Sequence, residues 1–205
     1  MYGMSMRRKQ IVILAVVVEA GLGVVALAGG WWWKLPVGEW VAWSAEGLGW
    51  GLAGAVVLLG ILLLCRRFQV GPIGRLMRLV DETVKPLFRE CRVVDLLVIS
   101  VLAGIGEELL FRGLIQGGLA GWLESWWGDG AGGAVALGVA SGLFGLAHCI
   151  SREYVVFATV FGLLLGWMAI ATGDLLAPMV AHGGYDFVAL LLLTKGGREV
   201  GTLKV

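Results

Sequence analysis

Runs such as Val56-Val57-Leu58-Leu59-Gly60-Ile61-Leu62-Leu63-Leu64 leave this chain few ways to fold. Backbone N–H and C=O groups in hydrocarbon find no water, so only helices, which satisfy them internally, or closed barrels can cross a bilayer. Barrel strands show short segments of alternating hydrophobicity, whereas these runs are continuous and uncharged. Six stretches qualify as helical spans, at about residues 11 to 31, 47 to 65, 94 to 120, 133 to 150, 154 to 173 and 175 to 194. Each is close to the roughly 20 apolar residues that a hydrocarbon core of about 30 Å requires. With 59% hydrophobic residues, 15% charged residues and a mean hydropathy of +0.88, the chain lies far from a soluble domain, in which about a quarter of residues are charged. The expected class is an all-α, polytopic transmembrane bundle of about six spans. A net charge of +1 gives no electrostatic footprint for nucleic acid.

Basic residues orient the spans. Arg7, Arg8 and Lys9 precede the first, and Arg66, Arg67, Arg75, Arg78, Lys85, Arg89 and Arg92 separate the second from the third. Arg152 follows the fourth, while Lys195, Arg198 and Lys204 form the tail. Only Lys34 falls on the opposite side and only Arg112 inside a span, so both termini are expected in the cytoplasm. Arg7-Arg8-Lys9, an apolar run and Ala26-Leu27-Ala28 also resemble a cleavable signal peptide. A retained helix is favoured because Trp31-Trp32-Trp33 forms an interfacial aromatic belt just beyond a full-length span. Residues 72 to 92 alternate apolar and charged positions at helical spacing, which predicts an amphipathic helix on the cytoplasmic surface, begun at Pro72 and kinked or ended by Pro86. One integrated membrane domain is expected, with a two-span region and surface helix over 1–92, a helical core over 93–194 and a tail over 195–205. Cys65, Cys91 and Cys149 match no metal-binding spacing and read as reduced thiols.

Against this apolar background the ionisable residues inside the spans stand out. A charge near the bilayer centre costs about 2.5 to 3.5 kcal/mol on insertion scales, so such groups have a partner or a task. Glu108 and Arg112 are four residues apart, with the acid first, and share a helical face, so they can neutralise one another. Glu107 points about 100° away and has no cation in its own helix, which makes it the better candidate for chemistry. His148 ends the fourth span, and His182 and Asp186 share a face of the sixth. Two physical forms suit this set. Glu107, His148 and His182 could ligate a metal such as Zn2+ that activates water, or Glu107 could activate water directly at a metal-free acid–base site. Glu19 interrupts the first span alone; it pairs with Arg112, lines a cavity, or is a carboxyl held protonated or snorkelling to an interface, the last being favoured, and it is left out of the chemical set.

Three ordered motifs carry a resemblance: Glu107-Glu108-Leu109-Leu110-Phe111-Arg112, then Phe144-Gly145-Leu146-Ala147-His148, then His182-Gly183-Gly184-Tyr185-Asp186. The pattern E-E-x-x-x-R, F-x-x-x-H, H-x-x-x-N/D is similar to that of the CPBP intramembrane proteases, which include type II CAAX prenyl endopeptidases and bacterial relatives linked to bacteriocin processing and immunity. The resemblance covers about residues 94 to 194. It implies hydrolysis of peptides or membrane-anchored protein segments within the lipid bilayer. Glu107 and His148 would activate water, and His182 with the residue four further on would stabilise an oxyanion or orient the other groups. Glu108, Arg112 and Phe144 would support them. Where the CAAX enzymes have Asn, this chain has Asp186, and an ionised carboxylate cannot donate to an oxyanion. Asp186 is therefore assigned to orienting His182 or to a metal.

Two rival readings use the same residues. A catalytically silent immunity or scaffolding protein would use them as interhelical glue to bind a partner, and a proton-coupled transporter would use them as a relay. The pseudo-repeats that would favour a transporter are absent from the sequence.

Overall fold

A computed structural model describes residues 8–128 and 130–195. Arg7 and the tail beyond Lys195, which entered the charge-based orientation, lie outside the described residues. The chain forms α1 (Arg8–Trp33), α2 (Ala45–Arg67), α3 (Gly71–Leu79), a π-helical turn (Val80–Val84), α4 (Lys85–Phe88) and α5 (Val93–Glu108). A π-helical stretch (Leu109–Gly117), α6 (Gly118–Trp127), α7 (Ala131–Ala147), α8 (Arg152–Thr172) and α9 (Leu176–Lys195) follow. No strand occurs among the described residues.

The expected all-α bundle is present. Six helical rods coincide with the six expected stretches, the third being the unbroken run from α5 through α6. By length and composition α1, α2, α8 and α9 can cross a membrane, and α7 is a shorter apolar helix. The 26 residues of α1 extend roughly 39 Å at 1.5 Å per residue, more than the hydrocarbon thickness.

The polar residues of the spans are turned inward and the outer surface is apolar. Val17, Val24, Val56, Val57 and Leu64 are exposed on α1 and α2, where lipid would meet them, while Ser100, Glu107, Glu108, Arg112, Gln116, Ser141 and His182 are buried. Such an arrangement avoids the cost of polar groups facing hydrocarbon. Trp31, Trp32 and Trp33 at the end of α1 and Trp122, Trp126 and Trp127 in α6 are all exposed, as aromatic belts would be.

Two close crossings set the position of α5. A Cβ on Gly104 would lie 2.7 Å from the Met179 carbonyl oxygen and 2.9 Å from the Gly183 nitrogen, so α5 and α9 touch backbone to backbone. On its other side, a Cβ on Gly106 would run into the Glu19 carbonyl, and Gly23 faces the Gly106 Cα. Small residues permit this approach where no hydrophobic force draws membrane helices together. Arg8 clamps the start of the same pair, its guanidinium bonding both Asp95 oxygens at 2.5 and 2.6 Å.

The surface helix follows the expected boundaries with one refinement. Pro72 lies in the first turn of α3, but the chain does not simply kink at Pro86. A proline ring clashes with the carbonyl four residues earlier, here Glu82, and the turn around that residue is the widened π-helical Val80–Val84. Helix α4 then ends at Phe88. Leu76 and Met77 pack into the main core with Leu58, Leu62, Phe161 and Tyr185, so the amphipathic helix docks on the bundle through its apolar face. Arg66–Asp81 at 3.0 Å and Arg75–Glu153 at 2.6 Å tie it to α2 and α8.

Candidate active site

Glu107 and Glu108 are the last two residues of α5, immediately before the π-helical stretch. Wide turns of this kind are frequent at functional sites. The stretch carries two long polar side chains, Arg112 and Gln116, and both donate to α8 carbonyls, Arg112 Nη2 to Gly162 at 3.1 Å and Gln116 Nε2 to Gly166 at 3.0 Å. Donors and acceptors are each four residues apart, so the two helices are laced in register.

Arg112 also donates from Nη1 to Glu108 Oε1 at 3.1 Å, the pairing expected from sequence. The same oxygen faces His182 Nδ1 at 2.8 Å. A carboxylate only accepts, so the His182 proton on that edge sits on Nδ1. Glu108 is therefore more than the neutralising partner of Arg112: it is fully buried and holds a histidine from α9. Sequence spacing could not show this, because the contact joins residues 74 positions apart. On its other edge, His182 Nε2 lies 3.5 Å from Asp186 Oδ2, which places Asp186 beside the ring it was assigned to orient.

His148 caps the end of α7, and its Nδ1–H donates to the Phe144 carbonyl at 2.9 Å. Nε2 is then the free edge, and it faces Glu107 Oε2 at 3.7 Å. Two acceptors separated by this distance are spaced to share a water. Phe144 sits among these groups. The Arg112 guanidinium lies over its ring at 4.4 Å, within cation–π range, and its centroid is 4.6 Å from that of His148 and 5.8 Å from that of His182. Phe161 closes the other side of His182 at 5.4 Å.

All seven motif residues thus belong to one cluster. Glu19 lies beside it, and of the readings offered for this residue only pairing with Arg112 is contradicted. Arg112 is occupied by Glu108 and Gly162, and Glu19 instead has its backbone carbonyl against Gly106, the residue before Glu107. The Gly23–Gly106 crossing brings it there, and hydropathy carries no trace of that rotation. Tyr154, stacked 6.2 Å from His148, was likewise missed, since nothing in its spacing links it to the motifs.

A cavity of about 460 Å³ opens between α2, the surface helix, α8 and α9. Leu62, Met77, Phe157 and Tyr185 line it, Tyr154 and Asp186 form its boundary with the motif cluster, and Arg66 and Lys85 also line it. It is mostly apolar and large enough for several side chains of an extended segment.

Glu107, His148 and His182 do not fit a metal in this arrangement. Catalytic zinc takes three protein ligands around one point, yet no group of three His, Cys, Asp or Glu among the described residues is placed to hold an ion.

Residues 89–188 match the family model described as type II CAAX prenyl endopeptidase Rce1-like. No curated protein and no solved structure matches the chain. The matched segment runs from the turn before α5 into α9 and contains all three motifs, which the fold gathers into one buried cluster. With its motifs, helical core and matched segment in agreement, this multi-pass membrane protein is similar over residues 89–188 to the Rce1-like family of type II CAAX prenyl endopeptidases.

Proposed function

We propose that the protein is a metal-free intramembrane endopeptidase in which Glu107 and His148 activate water. The observation that carries this reading is the 3.7 Å approach of Glu107 Oε2 to the free Nε2 edge of His148, beside a cavity that can admit a peptide. Water held between them loses a proton to Glu107 as its oxygen adds to the scissile carbonyl carbon. His182 faces the developing oxyanion. Donation from Nε2 uses the doubly protonated ring, whose charge Glu108 and Asp186 face from either edge. Collapse of the tetrahedral intermediate breaks the C–N bond, and the proton on Glu107 passes to the leaving amine. The products are a carboxylic acid and an amine, and Glu107 is regenerated.

Six spans with both termini cytoplasmic place the cavity mouth, with Arg66 and Lys85, at the cytoplasmic face. Residues 1–92 and 93–194 would then work as one membrane domain, with membrane-anchored protein segments or peptides as substrates.

The test uses purified protein in nanodiscs and an internally quenched farnesylated CAAX peptide, the substrate type named in the family's description. Cleavage by the parent and none by Glu107→Gln, at equal thermal stability, supports the reading. Parental cleavage by Glu107→Gln overturns it, and loss of stability in Glu107, His148 and His182 variants alike would favour the scaffolding alternative.

A further inference from the structure

Helices α2 and α9 close tightly over their N-terminal halves. A Cβ on Gly51 would run into Val180, and one on Gly54 would lie 3.0 Å from the Ala181 Cβ. Small residues permit that contact. Toward the other end of the pair the facing side chains grow to Leu62, Arg66, Tyr185 and Leu190, and the cavity of about 460 Å³ opens there. Two of its lining residues also reach the outside of the bundle: Leu63 is 57% exposed and Leu192 is 50% exposed, on surfaces where α2 and α9 would meet lipid. The cavity is thus open sideways toward the bilayer as well as inward to Asp186.

The charges in its lining do not balance. Arg66, Asp81, Lys85 and Asp186 all line the cavity. Asp81 stands four residues before Lys85, the spacing at which a helix pairs acid with base, yet across the π-helical turn both of its oxygens accept from Arg66 Nη1, at 3.0 and 3.2 Å. Asp186 is turned to His182 Nε2 at 3.5 Å. The half-buried Lys85 is left with no partner for its ammonium among the described residues. Apolar walls, an opening to lipid and one unmatched cation fit a ligand with an apolar chain and an anionic group. Basic pockets between transmembrane helices on the cytoplasmic side hold anionic head groups, and the orientation given above puts Lys85 on that side.

We infer that this cavity is a binding site for an anionic phospholipid, with the lipid phosphate on Lys85 and an acyl chain along Leu62, Met77, Phe157 and Leu190. The surrounding leaflet supplies the ligand through the opening beside Leu63 and Leu192. Lipid and peptide would lie along the same walls, so bound lipid competes with substrate for the route to Glu107. That competition rests on the protease reading given above; the lipid site itself does not.

The test follows lipid binding and turnover separately in parent, Lys85→Met and Arg78→Met, the last removing an exposed cation of the same surface segment that does not line the cavity. Native mass spectrometry of detergent-purified protein titrated with phosphatidylglycerol or phosphatidylcholine reads the site directly. The parent should retain phosphatidylglycerol in preference to phosphatidylcholine. Lys85→Met should hold phosphatidylglycerol about fivefold more weakly, the factor that matches roughly 1 kcal/mol for a basic residue beside anionic lipid, and Arg78→Met should match the parent. Methionine keeps an apolar stem, so the loss reports the charge. In nanodiscs, replacing part of the phosphatidylcholine by phosphatidylglycerol should raise KM for the quenched farnesylated peptide at constant kcat in parent and Arg78→Met, and not in Lys85→Met. Equal phosphatidylglycerol affinity in parent and Lys85→Met, or an equal loss in Arg78→Met, would overturn the site. A KM that phosphatidylglycerol leaves unmoved in the parent would overturn the competition. If Lys85→Met leaves lipid affinity unchanged but raises KM for the free-acid peptide and not for its C-terminal amide, Lys85 serves the peptide carboxylate and the lipid assignment fails. Lipid binding weakened by Lys85→Met in a protein that cleaves no peptide would instead overturn the protease reading and leave the lipid site standing.

Discussion

Replacing Glu108 by alanine removes the acceptor shared by two helices. Glu108 Oε1 takes hydrogen bonds from Arg112 at 3.1 Å and from His182 Nδ1 at 2.8 Å, and both Glu108 and Arg112 have side chains with no exposure to solvent. The alanine protein would keep a buried guanidinium whose one remaining bond is to the Gly162 carbonyl. Breaking a buried pair in this way costs about 3 to 5 kcal/mol, because the surviving charge is left uncompensated. For a chain of this size that corresponds to a fall in Tm of roughly 6 to 20 °C, at about 2 to 4 °C per kcal/mol. Removing both partners should cost less than the sum of the two single losses, since the orphan charge goes as well. Thermal unfolding of purified parent, Glu108→Ala, Arg112→Leu and the double variant closes that cycle. Glu107 provides the control: it has no cation in its own helix, so Glu107→Gln should leave Tm near the parental value. A Glu108→Ala protein as stable as the parent, or a double variant whose loss equals the sum of the singles, refutes the reasoning.

Three further outcomes follow from the same geometry. His182→Leu should lower kcat by roughly 10²- to 10³-fold, the usual cost of losing one oxyanion donor, and unchanged turnover of the farnesylated peptide would remove His182 from that role. Activity should persist after dialysis against a strong chelator, because the donors are not grouped around an ion; loss on chelation with recovery on adding Zn2+ would show that the side chains rearrange to bind it. Burial, and then the negative charge of Asp95, push the Cys91 thiol above its ordinary range, so the neutral thiol is favoured in the fold. Its contribution to stability is present below the unfolded thiol value and is lost as pH rises through the folded one. Maleimide at neutral pH should therefore modify exposed Cys149 and spare Cys91, and equal labelling of the two would contradict that placement.

The proximity of the surface helix to the candidate site links packing to access. Leu76 and Met77 belong to the same core as Phe144 and Phe161, while Val80 and Val84 of the adjoining π-helical turn line the cavity that reaches Asp186. The segment between α2 and α5 thus forms one wall of the route by which a peptide would reach Glu107. Its Arg66–Asp81 pair is part-exposed, so it contributes little to stability and leaves that wall adjustable.

Local periodicity was enough to read the helices, the surface helix, the Glu108–Arg112 pair and the separation of Glu107 from it, because hydropathy and i,i+4 spacing are properties of one helix at a time. The grouping of His148, His182 and Asp186 with the two glutamates also followed, since buried charge demands company. Tertiary structure alone decided which group meets which. In a membrane protein both the lipid face and the packed face of a helix are apolar, so sequence hardly records the rotation of α1 that sets Glu19 against Gly106. Nor does it record that Glu108 holds His182, a contact made across helices by the Gly104–Gly183 crossing. Those relations depend on where missing Cβ atoms let two backbones touch, and that is a property of the assembled bundle.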